Sequence, residues 1–262
     1  MNRRSKLTGL RNCRQTISLT LMPSSDPLAH APAFRRALLR WFRRHGRDLP
    51  WRKTRDPYRI LVSEFMLQQT QVARVEAYYY RFLDLFPSID ALASASAVQV
   101  RESWEGLGYY RRAEHLHRLA RVVVQDHSGV IPSEPTALLR LPGVGPYTAG
   151  AVASFAYERP APAVDTNVAR VLRRAFYPRL RAEVAGRQVW ATAARILPPR
   201  GKTAWAFNQA LMELGALVCT AREARCHSCP VRRVCRTGNR RTRPVGSMLV
   251  KRKERQARLE LR

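Results

Sequence analysis

Apolar residues recur at three- and four-residue spacing along most of the chain, the period of an amphipathic helix. Phe34, Leu38, Leu39 and Phe42 mark one such face, and Gly46 closes that helix. Asp56-Pro57 pairs a capping side chain with a proline suited to a first helical turn, so a helix over 58–69 is predicted. A second helix over 71–86 ends at Pro87. Further helical stretches are predicted over 91–106, 111–127, 167–176, 182–197 and 203–217. Alternation with period two is confined to short runs such as 121–124, and no internal repeat is evident. The pattern predicts an all-α protein.

Within it, Leu141-Pro-Gly-Val-Gly-Pro146 separates a short helix over 136–141 from an apolar one over 147–156, a helix-hairpin-helix. Gly143 and Gly145 allow a tight, partly left-handed turn, and Pro146 fits the first turn that follows. The N–H groups of Gly143, Val144 and Gly145, at the positive end of the second helix, predict an anion site. Asp165 then follows as the cap of the next helix and as a carboxylate delivered close to the turn.

Composition narrows the partner. At 262 residues and 45% hydrophobic the chain buries one core or two small lobes and is not a disordered chain. Lys and Arg number 47 against 19 Asp and Glu, a formal charge of +28 that points to a polyanion. The lysines are only Lys6, Lys53, Lys202, Lys251 and Lys253, an arginine bias that a GC-rich genome would also produce. No run approaches the roughly 18 apolar residues of a membrane span. Residues 1–22 read as a basic leader with Met22 as a second candidate start, 24–32 as a linker, and 236–262 as a charged tail.

Two further constellations carry chemistry. Glu64 lies in Ile60-Leu-Val-Ser-Glu-Phe-Met-Leu-Gln-Gln-Thr70, among apolar neighbours that disfavour its anion and suit a general acid. A surface glutamate paired with an arginine is the plainer reading of a lone Glu, but the amides and hydroxyl of Gln68, Gln69 and Thr70 beside it suit contact with bases. Cys219, Cys226, Cys229 and Cys235 place four thiolates in one loop, a donor set for zinc or for an iron–sulfur cluster. Arg222 and Arg225 decorate that loop as candidate phosphate contacts. Cys13 stands apart as a bystander, and His115, His117 and His227 read as surface residues. Tyr78, Tyr79 and Tyr80 read as core and helix-surface residues.

Leu49-Pro-Trp-Arg52, Ser63-Glu-Phe-Met-Leu-Gln-Gln-Thr-Gln71, Gly106-Leu-Gly-Tyr-Tyr-Arg-Arg112, Leu141-Pro-Gly-Val-Gly145 and Val164-Asp-Thr-Asn-Val168 occur in one order. Together they resemble the MutY-type adenine DNA glycosylases of the helix-hairpin-helix, endonuclease III superfamily, over residues 34–235. The resemblance implies Glu64 as general acid, Asp165 facing the developing sugar cation, and supporting roles for Tyr147 and Asn167. It implies that Gln69 and Tyr109 fill the duplex where a base has been extruded. It also implies a [4Fe–4S] cluster on the four cysteines, with Pro230 following the third. Endonuclease III-like relatives carry a lysine at the hairpin position where Tyr147 stands. A tyrosine forms no Schiff base, so the resemblance implies base removal without strand cleavage.

The expected architecture is two-lobed. Residues 33–50 and 160–235 would form a cluster-bearing helical lobe, and 51–159 a six-helix lobe with the hairpin. Residues 1–32 and 236–262 would be a basic leader and tail. The expected partner is double-stranded DNA with a mismatched or damaged pair, bound by a nucleoid-associated monomer. MutY proteins carry a further Nudix-like domain that reads the opposite 8-oxoguanine, whereas 27 residues follow Cys235 here. Two rivals remain: a thymine or uracil mismatch glycosylase of the same superfamily, and a helix-hairpin-helix module that binds DNA without catalysis.

Overall fold

The computed structural model describes residues 26–241; the leader, Cys13 and the tail beyond residue 241 lie outside the described residues. Helices follow in the order α1 (Ala31–His45), α2 (Pro57–Leu67), α3 (Val72–Leu85), α4 (Ile89–Ser94), α5 (Ala97–Ser103), α6 (Arg111–His127) and α7 (Pro135–Leu138). After the hairpin turn come α8 (Pro146–Phe155), α9 (Thr166–Phe176), α10 (Gly186–Ile196), α11 (Gly201–Leu217) and α12 (Arg236–Arg241). Among the described residues there is no strand, only an isolated bridge between Cys219 and Ala224. None of the described helices is long and apolar enough to cross a membrane.

The helices bury two apolar cores. One is built from α2 to α8 and includes Phe65, Phe82, Trp104 and Leu116. The other joins α1 to α9, α10 and α11 through Phe34, Phe176, Phe207 and Leu214. The chain therefore starts in the second core, crosses to the first, and returns after Ala163. Leu49, Ala161 and Ala163 belong to the first core. Polar and apolar contacts join the two bodies. Buried Asn208 on α11 donates to Ser154 Oγ at 3.0 Å and to the Ala161 carbonyl at 2.8 Å, while Trp205 and Met212 of α11 pack on the first core.

Several predicted boundaries need correction. The stretch 91–106 is two helices, because Ser96 and Gln99 form a reciprocal capping box that starts α5 afresh. α2 ends at Leu67 rather than at residue 69, and Gln69 turns left-handed at φ 57°. The segment 182–197 opens with a 3₁₀ turn over Ala182–Val184 before α10 begins. α7 has only four residues. Leu28 is buried and α1 starts at Ala31, so the expected linker is anchored by one side chain and ends in a helix, although Asp26, Ala29, His30 and Pro32 are exposed. The tail's first residues form α12, where Thr237 donates to the Arg174 carbonyl. His117 is buried at 8% exposure on the inner face of α6, not on the surface.

The hairpin turn is left-handed at one glycine only. Gly143 has φ 74°, and a Cβ there would lie 2.6 Å from the His115 Cβ; Gly145 has φ −95° and open space around it. Gly143→Ala should therefore lower the unfolding free energy by at least about 1–2 kcal/mol from backbone conformation alone. Gly145→Ala should stay within about 1 kcal/mol of wild type. Urea titration of both variants checks this, and equal tolerance at the two positions would refute it.

Candidate active site

A groove of about 790 Å³ runs between the two cores and collects residues from distant parts of the chain. Glu64, Tyr147, Asp165 and Asn167 line it together with Gln68, Gln69 and Thr70. Arg47, Arg52, Gln209 and Glu213 line it as well, and none of these was singled out as a site residue from the sequence.

Each of these side chains is placed by a local feature. Asp56 caps α2 by accepting from Tyr58 N and Arg59 N, and α2 then buries Ile60, Leu61, Phe65 and Met66. Glu64 shares that helix and is only 4% exposed. α8 starts at Pro146, and Tyr147, in its first turn, donates its hydroxyl to Glu64 Oε2 at 2.7 Å. Burial pushes the Glu64 carboxyl up to about 7; the Tyr147 hydrogen bond opposes this, the nearby Asp165 adds to it, and Arg52 opposes it. Burial next to Glu64 and Asp165 likewise raises the Tyr147 phenol well above its ordinary range. Asp165 accepts from Val168 N at 2.6 Å as the cap of α9, and its other oxygen accepts from Asn167 Nδ2 at 2.9 Å. One carboxylate thus caps a helix and faces the groove.

Asn167 is held in turn by Arg170, whose Nη2 donates to Asn167 Oδ1 at 2.7 Å and whose Nε donates to the Cys219 carbonyl at 2.9 Å. On the opposite wall, Glu213 has no solvent exposure and accepts from Arg47 N, Nε and Nη2 and from Arg52 Nη2, all within 3.0 Å. Burial would raise the Glu213 carboxyl, but the two guanidinium groups outweigh it and hold it at about 2. The signals missed in the sequence were nonlocal: Arg47 and Glu213 lie 166 positions apart.

Other candidate residues lie outside the groove. Tyr109, 61% exposed, lines an adjoining cavity of about 300 Å³ that shares Gln68 and Gln69 with the groove and adds Arg111, Arg112 and His115. At the hairpin, Val144 turns its side chain inward and spends its N–H on the Leu141 carbonyl at 3.2 Å. Within the turn, the N–H groups of Gly143 and Gly145 have no hydrogen-bond partner among the described residues, whereas that of Val144 does. Arg222 and Arg225 are exposed on the cysteine loop, as is His227. Tyr79 is buried against Trp51, and Tyr80 is exposed.

Cys219, Cys226, Cys229 and Cys235 are free thiols lining one small cavity with Val171, Leu214 and Val231. Burial and the other cysteines push the Cys229 thiol up to about 12, against a backbone hydrogen bond from Val231. Gly238 N and Arg174 Nη1 donate to Cys235 Sγ and Cys219 Sγ at 3.3 and 3.4 Å. Among the described residues, no group of three or more His, Cys, Asp or Glu is drawn together as a set that could hold a metal ion.

Residues 62–187 match the family described as HhH-GPD superfamily base excision DNA repair protein. A thermostable thymine-DNA glycosylase of known structure superposes with a TM-score of 0.74 at 32% identity, over 80% of this chain and 97% of that one. The chain belongs to the HhH-GPD superfamily of base excision DNA repair proteins. This superfamily member is also similar to an endonuclease III trapped in a covalent intermediate with DNA, at TM-score 0.69 and 26% identity, over 81% of this chain and 97% of that one. It is 49% identical over 197 residues to an adenine DNA glycosylase of Mycobacterium tuberculosis, covering 74% of this chain. The superfamily member spans 64% of that relative's length.

The Glu64 environment has a measurable consequence. An ordinary glutamate titrates near 4.5 and this one near 7, so the stability tied to its neutral form is complete below pH 4.5 and lost as pH rises through 7. Relative to wild type, Glu64→Gln should gain up to about 3 kcal/mol between those limits. Denaturation at pH 4.5 and pH 8 checks it; a difference that does not move with pH would show that Glu64 is not buried in this way.

Proposed function

We propose that this protein is a monofunctional adenine DNA glycosylase that hydrolyses the N-glycosidic bond of adenine opposite 8-oxoguanine or guanine in duplex DNA. The observation that carries the reading is a buried carboxyl group poised near neutrality, Glu64, in one groove with Asp165 and a ring of amides. The names of the adenine DNA glycosylase relatives agree with it.

Adenine is a poor leaving group, so its departure needs a proton on a ring nitrogen. Neutral Glu64 donates that proton, and the C1′–N bond breaks with its electron pair retained by the base. The sugar then carries oxocarbenium character, which Asp165 stabilises as a fixed anion. Water adds to C1′ and loses a proton to the Glu64 carboxylate, which restores the acid. Tyr147 orients Glu64 through its hydroxyl, and Asn167 orients Asp165. No amine stands at Tyr147 to attack the sugar, so an abasic site is the product.

Gln68, Gln69, Thr70 and Tyr109 would contact bases, with Gln69 and Tyr109 filling the space of the extruded one. The Gly143 and Gly145 N–H groups at the start of α8, with Arg222 and Arg225, would take phosphates. Cys219, Cys226, Cys229 and Cys235 would hold a [4Fe–4S] cluster: all four line one cavity and thiolates are its donor type, although here they are not gathered closely enough to hold a metal ion as they stand. When bound, the cluster supplies Fe–S bonds that cross-link the loop.

A second reading, thymine or uracil excision, is favoured by the likeness to the thymine-DNA glycosylase. Single-turnover base release decides between them, with adenine opposite 8-oxoguanine or guanine, and G·T and G·U beside them. Wild type should release adenine, and Glu64→Gln should lose release by about 10²-fold or more while binding stays within about threefold. Thymine or uracil release instead would move the assignment. Chain purified without oxygen should carry about four iron and four sulfide per monomer, and a zinc-only preparation would overturn the cluster.

A further inference from the structure

Seven hydrogen bonds converge on one guanidinium beside the groove. Arg112, on the first turn of α6 and 6% exposed, donates from Nη1 to the carbonyls of Phe65 at 3.0 Å, Met66 at 2.6 Å and Gln68. Its Nη2 donates to Thr70 Oγ1 at 3.1 Å and to the carbonyls of Gly108 at 2.9 Å and Leu107 at 3.3 Å. Its Nε reaches the Tyr109 carbonyl at 3.4 Å. A guanidinium has five N–H donors in one plane, so several are shared.

These partners fall into two sets. One follows the end of α2, where helix carbonyls lack intrahelical donors, and brackets Gln69 through Gln68 O and Thr70 Oγ1. The other holds the turn that presents Tyr109. Gln69 and Tyr109 both have left-handed backbones, at φ 57° and 49°, and both line the same small cavity. Neither residue sits in a helix, so the conformation of each depends on what its loop is tied to.

We propose that Arg112 is a positioning residue that yokes these loops into one two-pronged wedge, so that Gln69 and Tyr109 enter a duplex together. The inference rests on the glycosylase reading above. A planar fork is needed because one group must reach both loops at once; a lysine ammonium, a compact point charge with three donors, cannot span them.

The test follows 2-aminopurine placed opposite guanine in a duplex, in the Glu64→Gln background so that no base leaves. Its fluorescence rises when the base leaves the stack. Gln69→Ala, Tyr109→Ala and the double variant are measured with Arg112 present and again with Arg112→Lys. With Arg112 present the two alanine effects on extrusion should be non-additive by roughly fivefold or more, and with Arg112→Lys additive within about twofold. A role limited to stability would lower Tm and leave the coupling in place, and coupling unchanged by Arg112→Lys would overturn the proposal. Should Arg112→Lys fail to fold, Thr70→Val removes one link on the Gln69 side and should weaken the coupling; unchanged coupling there overturns it equally. No fluorescence rise in the parent, with no base released by wild type from any duplex, would overturn the glycosylase reading and this role with it. A rise in the parent with coupling indifferent to Arg112 would overturn this role alone.

Discussion

A carboxylate without solvent contact, Glu213, sits between Arg47 and Arg52 at the place where the chain crosses from one core to the other. The Arg52 side chain is 9% exposed and that of Arg47 35%, so losing the Arg52 bond removes the more buried partner and destabilises more than losing Arg47, while either one still compensates the Glu213 charge in part. Arg52 adds a bond from Nε to Gln209 Oε1 at 2.8 Å and one from Nη1 to the Arg47 carbonyl at 2.9 Å, so the crossing segment is fixed along its length. The groove is the space left open beside that crossing. Its walls keep their spacing because α11 is held at Glu213 on one side and at Asn208 on the other.

Three carboxyl groups share this groove and differ only in company. Glu213 has two guanidinium partners and is held ionised far below neutrality. Glu64 has apolar neighbours and a single hydroxyl donor, and its proton is poised near pH 7. Asp165 spends one oxygen on a helix cap and the other on Asn167, which fixes its direction. Position in the fold separates Glu64 from Glu213, since two free glutamates have the same acidity. A groove with one available proton and separate fixed anions is suited to breaking a bond that needs acid on one side and negative charge on the other.

What was legible in the sequence was what local chemistry dictates. Asp56-Pro57 announced the start of α2, Pro146 the start of α8, and the 111–127 periodicity gave α6 its full length. Glu64 was legible as a buried acid because its neighbours on the same helix are apolar. The capping box at Ser96 was written in the sequence as well, but the apolar periodicity runs across it and hid the break. His117 follows helical spacing from Ala113 and Ala120, yet its polar ring invited a surface placement that tertiary packing overrode. Arg47, Arg52 and Glu213 were not legible at all, because an arginine-rich chain offers many equivalent partners and only the fold chooses among them.

The groove and the cavity of the cysteine loop are joined by two helices, α9 and α11. α9 is capped by Asp165 and carries Arg170 and Arg174 on successive turns. Arg170 binds Asn167 Oδ1 and the carbonyls of Gly215 and Cys219, and Arg174 binds Cys219 Sγ and the Thr220 carbonyl. Asn167 in turn holds Asp165, so an unbroken series of hydrogen bonds runs from a groove carboxylate to a cysteine of the loop. Gly215 allows this closeness, since a Cβ there would lie 2.7 Å from the Asn167 Cβ. The direction of Asp165 is therefore tied, through Asn167 and Arg170, to the backbone at Cys219.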